Sequence, residues 1–311
     1  MAAAGVWPGQ PRGLSRPLDH GFFGPGSPTW KVWTAPTALL GFQRAVVLEH
    51  FDPFLTAAVA DQRGIYTDPV GRLDRTLAYF LTVAVADGRT AIQASEFLMR
   101  VHAAATGIEP ISGKRYSANN PASQLWIHVT GWHSVLKCYE RYGPGPLSPA
   151  DERRYWAESV IAAELQTCKP SDVPSSREQV REYFAEVRPT LCTSERANEG
   201  MHYLLRTPRP GQLWAMSRLM APATIATLPR WMRQLGGFDQ PTAVDRAVLP
   251  LARAAMRAAR SPRVKLAVLS RTLPETRRML RNHLYGGAPE NPETITPAQA
   301  RARYGKAVQS A

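Results

Sequence analysis

From residue 36 onward the apolar residues recur at helical spacing, and the breaks between the runs are helix ends rather than strand turns. Pro36 can open a helix through Leu39, Leu40, Val46, Val47 and Leu48, because proline lacks an N–H that the first turn would leave unbonded anyway. The loop Tyr66-Thr-Asp-Pro-Val-Gly71 delivers the chain to a helix near Arg72–Val85. Asp87-Gly88 breaks that helix, and the next one runs to about Thr106 before Gly107, a suitable C-terminal cap. Asn119-Asn-Pro starts a long helix ending near Tyr142-Gly143. Ser148-Pro-Ala-Asp151 and Ser175-Ser-Arg-Glu178 resemble capping boxes and lead helices to about Leu165 and to just before Pro189. Further helical stretches fall near 193–206, 211–221, 242–260 and 274–285. Alternating β-branched runs, and hairpin dipeptides between them, are absent. The expected fold is all-α, with a single multi-helix domain over residues 36–288.

The flanks read differently. Residues 1–35 are rich in Gly, Pro and Trp, and are expected to form an extended N-terminal arm. That arm should lie on the body, since Phe22, Phe23, Trp30 and Trp33 would be costly to leave in water. Residues 289–311 are expected to form a mobile C-terminal tail. The 311 residues suffice for a core without staples, and Cys138, Cys168 and Cys192 are too scattered for a disulfide framework or a zinc site. The first residues lack a basic start and an apolar run, so no signal peptide is expected. The longest uncharged run, between Arg115 and Lys137, contains two Asn, Gln124 and two His, too polar for a spanning helix. A cytoplasmic protein is the expectation.

Charge is uneven. Residues 201–311 hold 18 of the 38 basic residues and only 5 of the 25 acidic ones, so the whole net charge of +13 sits there. Such a segment can meet nucleic acid, anionic lipid or an acidic partner. No nucleic-acid module or dense aromatic interleaving accompanies it, and nucleic acid is not the expected partner. Arg253, Arg257 and Arg260 lie near one helical face, which leaves peripheral contact with a membrane surface open.

The familiar hydrolase, nucleotide-binding and zinc-protease motifs are missing. What remains is histidine and arginine on helices, a combination that suits a cofactor held between them. His102 has Leu98, Val101 and Ala105 as helical neighbours, so it lies on or beside an apolar face. It is either a hydrogen-bonded core residue or a metal ligand, and Ala103–Ala105 would let a flat macrocycle approach. Arg72, Arg75 and Thr76 are spaced i, i+3, i+4, giving either an exposed helix start or an anion clamp and polar cavity wall. His128 can line a pocket or sit satisfied in the core, while His133, five residues on, faces elsewhere. His20, His50, His202 and His283 have no local context that favours a site. Tyr155-Trp-Ala-Glu158 reads as packing beside an exposed carboxylate.

Several of these runs, in order, are similar to one family. Asp68-Pro-x-Gly-Arg-Leu-x-Arg-Thr76, Val101-His102-Ala, Tyr116-Ser-Ala-Asn119, Trp126-Ile-His128 and Tyr155-Trp-Ala-Glu158 resemble the MpaB-type oxygenases, which share a catalytic domain with latex clearing protein, the rubber oxygenase. The resemblance runs from about Trp33 to Leu228-Pro229. It implies an all-α, globin-reminiscent fold, a non-covalent haem b and an oxygen-dependent activity. It also implies that His102 is the proximal iron ligand and that Arg72 and Thr76 match the Arg and Thr of an Arg-x-x-Lys-Thr motif near the haem. The lysine that can ligate iron on the distal side is Arg75 here, and a guanidinium keeps its proton and has no lone pair to give. At His50-Phe-Asp-Pro53 many relatives carry His-Pro. No acidic residue matches the rubber oxygenases' catalytic glutamate, so activity on polyisoprene does not transfer.

The functional expectation is therefore a haem b-dependent oxygenase that activates dioxygen toward an apolar or amphipathic small molecule. Arg72, Arg75, Thr76, His102 and His128 are its candidate site residues. Two alternatives stand: a haem-binding redox or gas sensor without oxygenation, and a basic helical protein that docks on an anionic surface.

Overall fold

The computed structural model describes residues 13–62, 67–206, 212–270 and 272–305. The first twelve residues of the arm, Tyr66 of the expected loop and the last six residues of the tail lie outside them.

Helices begin where a short polar side chain can bond the free N–H groups of the first turn. Asp52 caps α3 (Pro53–Asp61), Asp68 caps α4 (Pro69–Val85) and Asp87 caps α5 (Gly88–Ala103). Asn120 caps the longest helix, α6 (Pro121–Tyr142), and Ser148 caps α7 (Pro149–Ala163). Proline occupies the first turn of α3, α4, α6 and α7, where it lacks only an N–H that has no partner. Ser176, one residue later than the sequence suggests, caps α8 (Arg177–Val187), and Gln179 reaches back to the Ser175 N–H at 2.8 Å.

The core forms around α6. Trp126, Val129, Trp132, Val135 and Leu136 on this helix are all buried. Lying along it is α2 (Ala38–Glu49), so close that a Cβ on Gly41 would meet the Val135 Cα at 2.5 Å. One apolar cluster joins α6 to α4, α5 and α7, with Phe23, Trp33, Trp132 and Tyr155 in edge and tilted ring contacts. A second joins Val47, Leu48 and Trp126 to α9 (Glu195–Leu205) and α10 (Gln212–Ile225). The remaining helices are α11 (Arg230–Leu235), α12 (Thr242–Ala258), α13 (Pro262–Leu269) and α14 (Pro274–Tyr285), and α12 buries Val248 and Ala252 against α6 and α10. The fold is all-α and forms a single domain. Among the described residues no helix is long and apolar enough to cross a membrane.

The structure corrects the sequence expectation in three places. The arm contains α1 (Pro28–Trp33), capped by Ser27, so it is not wholly extended. The helix expected to reach Thr106 ends at Ala103, and β1 (Thr106–Ile108) pairs antiparallel with β2 (Arg115–Ser117). Glu109 holds that turn by accepting from the Ile111 and Ser112 N–H groups at 2.6 Å, with Gly113 at φ +69°. These strands are three residues each, too short for an alternating pattern to show. The tail carries α15 (Pro297–Tyr304), whose Ala300 is fully buried along α5. Residues 289–305 thus include a capped helix and the buried side chains of Ile295 and Ala300.

Candidate functional site

A cavity of about 300 Å³ opens between α2, α4, α5 and α10, a size found among small-molecule sites. Leu39, Phe42 and Val46 from α2, Leu73 and Phe80 from α4, and Leu98 from α5 make its wall mainly apolar. Its carboxyl, imidazole and guanidinium groups come from three helices: Glu49 and His50 at the end of α2, Arg72 on α4 and His102 on α5.

On α5, His102 faces the cavity from the last turn of the helix. Its Nδ1 is buried and has no hydrogen-bond partner. Burial first, then the Arg72 guanidinium, pulls its pKa down to about 4, so the ring is neutral at pH 7.

On α4, Arg72 and Thr76 line the cavity and Arg75 does not. Residues four apart on a helix differ by about 40° in direction, and those three apart by about 60° the other way. The Arg75 guanidinium follows that offset outward and pairs with the helix cap, Asp68, at 3.1 Å. The expected three-residue face therefore splits, and Arg75 leaves the site. Thr76 donates its hydroxyl to the Arg72 carbonyl at 2.9 Å, back-bonding within the helix. Burial lowers the Arg72 pKa, while Glu49 opposes that shift.

The expectation that His128 lines the pocket fails. It is fully buried between α6 and α7, its Nε2 is 2.9 Å from the Ser159 carbonyl oxygen, and its ring lies near Trp132. Residues spaced like Trp126, Ile127 and His128 point three ways around a helix, and of these it is Ile127 that reaches the cavity.

Sequence reasoning passed over Glu49 and gave His50 no site role, yet the two lie together at the end of α2 and both line the cavity. Burial raises the Glu49 pKa to about 7 against the opposing pull of Arg72 and a hydrogen bond from Thr130. Its carboxyl is thus shared between protonated and ionised forms near neutral pH. His50 donates Nδ1–H to the Val46 carbonyl at 2.7 Å, and its Nε2 is buried without a partner. Burial lowers its pKa to about 4. The available signal was the helix end itself. Asp52 and Pro53 start a new helix, so Glu49 and His50 must close α2 just after its apolar stretch Val46-Val47-Leu48.

The site is thus an apolar cavity edged by two neutral imidazoles, one carboxyl of intermediate pKa and one guanidinium. No curated protein and no solved structure matches the chain. The family described as ER-bound oxygenase mpaB/B'/rubber oxygenase, catalytic domain, matches residues 30–261, well over half of the chain and every residue of the cavity wall named above, and the chain belongs to that family.

Proposed function

We propose that the protein is a haem b-dependent oxygenase acting on an apolar or amphipathic small molecule in this cavity. The observation that carries the reading is the His102 imidazole, neutral, at the cavity wall and with a buried unbonded nitrogen. Neutral imidazole is a common protein donor to haem iron. Among the described residues no three His, Cys, Asp or Glu side chains gather to hold a bare metal ion. A macrocycle that brings four donors of its own suits these residues better.

In this reading His102 would hold the iron and Arg72 would pair a propionate, an anion that a guanidinium can bind in a bidentate manner. When bound, the haem supplies dioxygen binding and activation. The chain supplies the setting. Leu39, Phe42, Val46 and Leu98 keep water out and accept an apolar substrate. The Glu49 carboxyl, with a pKa of about 7, can hold or release a proton at the cavity edge.

The test is an absorption spectrum of the haem-reconstituted protein before and after dithionite and carbon monoxide. A Soret band that shifts with carbon monoxide is expected. His102→Ala should weaken haem binding on the order of tenfold or more, about 1.4 kcal/mol. Absence of a Soret band from the reconstituted wild type overturns the cofactor assignment. A Soret band with no dioxygen uptake on a panel of unsaturated lipids and terpenoids overturns the oxygenase assignment alone.

A further inference from the structure

We propose that His50, through Nε2, is a second protein ligand of the iron beside His102; the proposal rests on the haem reading above. His50 closes α2 and keeps only 4% of its surface. A carbonyl oxygen can only accept, so the 2.7 Å contact to Val46 places the ring proton on Nδ1. In the neutral ring Nε2 then carries a lone pair, and no donor meets it. Burying such an acceptor unpaired is costly, and a metal ligated there would offset that cost.

An Nδ1–H bonded to a backbone carbonyl, leaving Nε2 free, is also how proteins orient histidines that bind metals. Three further placements favour His50. It lines the cavity from α2, whereas His102 lines it from α5, so the two rings approach from different elements. Arg75 pairs with Asp68 instead of lining the cavity. His128 also has an unbonded ring nitrogen but is not part of the cavity wall. Ligation by His50 needs no redox change. The lone pair forms one Fe–N bond, and dioxygen or carbon monoxide must break that bond to bind.

The resting ferric protein should therefore be six-coordinate and low-spin, with the electron paramagnetic resonance and near-infrared magnetic circular dichroism of two imidazole ligands. His50→Leu should turn it high-spin while keeping the haem, and added imidazole should restore the low-spin spectrum. Carbon monoxide should bind the ferrous variant about tenfold or more tightly than wild type, since a site open one-tenth of the time loses that factor. A high-spin wild type, or a low-spin spectrum unchanged in His50→Leu, overturns the assignment and leaves the haem reading standing. A wild type with no Soret band overturns both. Should His50→Leu not fold, the wild-type dichroism decides alone: a bis-imidazole signature supports His50, and any other ligand pair overturns it.

Discussion

His128 shows how a buried imidazole makes stability depend on pH. Nε2–H can donate to the Ser159 carbonyl, but Nδ1 has no partner, so a second proton would place a charge facing nothing. Its folded pKa is lowered from 6.5 to about 4, mainly by burial. Between those values the unfolded chain binds the proton and the folded chain does not, so stability falls as pH falls through that window, by on the order of 2–3 kcal/mol. Urea denaturation from about pH 7 to pH 4.5 should show this loss. In His128→Gln, which keeps a donor for Ser159 and cannot titrate, the loss should shrink; an equal loss would place the titration elsewhere. Arg75 gives the opposite lesson. Its ion pair with Asp68 is exposed, and such pairs contribute at most about 1 kcal/mol. Arg75→Ala should leave both stability and haem affinity nearly unchanged, whereas Arg72→Ala should weaken haem binding; equal effects in haem titrations would refute the split of that helix face. His102, Arg72 and Thr76 were legible in the sequence because helical spacing and motif order carry them. Glu49 and His50 were not, because their environment comes from α4, α5 and α6, which are distant in the chain.

Elements were easier to read than residues, because caps act locally. Asp68, Asn120 and Ser148 each bond N–H groups within three residues, and a short-range signal of that kind survives without tertiary context. The β hairpin and the helices at 230–235 and 262–269 gave weaker signals, being short and without a side-chain cap, whereas the helix at 53–61 carries in Asp52-Pro53 the same start signal as Asp68-Pro69. How closely elements pack is written nowhere in the local pattern. Gly41 and Gly131 both lie in helices, yet a Cβ on Gly41 would strike the Val135 backbone at 2.5 Å, while one on Gly131 would meet nothing within 4 Å. Gly41→Ala must push α2 off α6 and should destabilise by about 3 kcal/mol or more. Gly131→Ala should stabilise by roughly 0.5–1 kcal/mol through helix propensity. Chemical denaturation of the two variants checks the pair, and equal effects would mean that α2 and α6 are not in backbone contact.

At the scale of the whole molecule the two chain ends hold each other. The arm and the tail exchange backbone hydrogen bonds: His20 N–H to Glu293 at 2.8 Å, Asn291 N–H to Leu18 at 2.8 Å and Ile295 N–H to Gly21 at 2.9 Å. Asp19 accepts from the Gly88 N–H at 2.8 Å, and Ile295 buries its side chain against Gly88 at the start of α5. The basic third of the chain is likewise partly structural, since Arg253 donates to the Arg141 carbonyl at 3.0 Å. A composition rich in Gly, Pro and Arg gave no sign of this pairing, because its partners are more than 250 residues apart and its bonds use the backbone. Deleting residues 289–311 removes the buried Ile295 and Ala300 and strips the arm of its partners. At about 2–4 °C per kcal/mol for a domain of this size, and several kcal/mol lost, the melting temperature should fall by about 10 °C or more. Protease should then cleave within residues 13–24 before the helical body, because the freed arm keeps few of its bonds. A deletion that melts within about 2 °C of the full chain, with the arm still protected, would show that the tail does not hold the arm to α5.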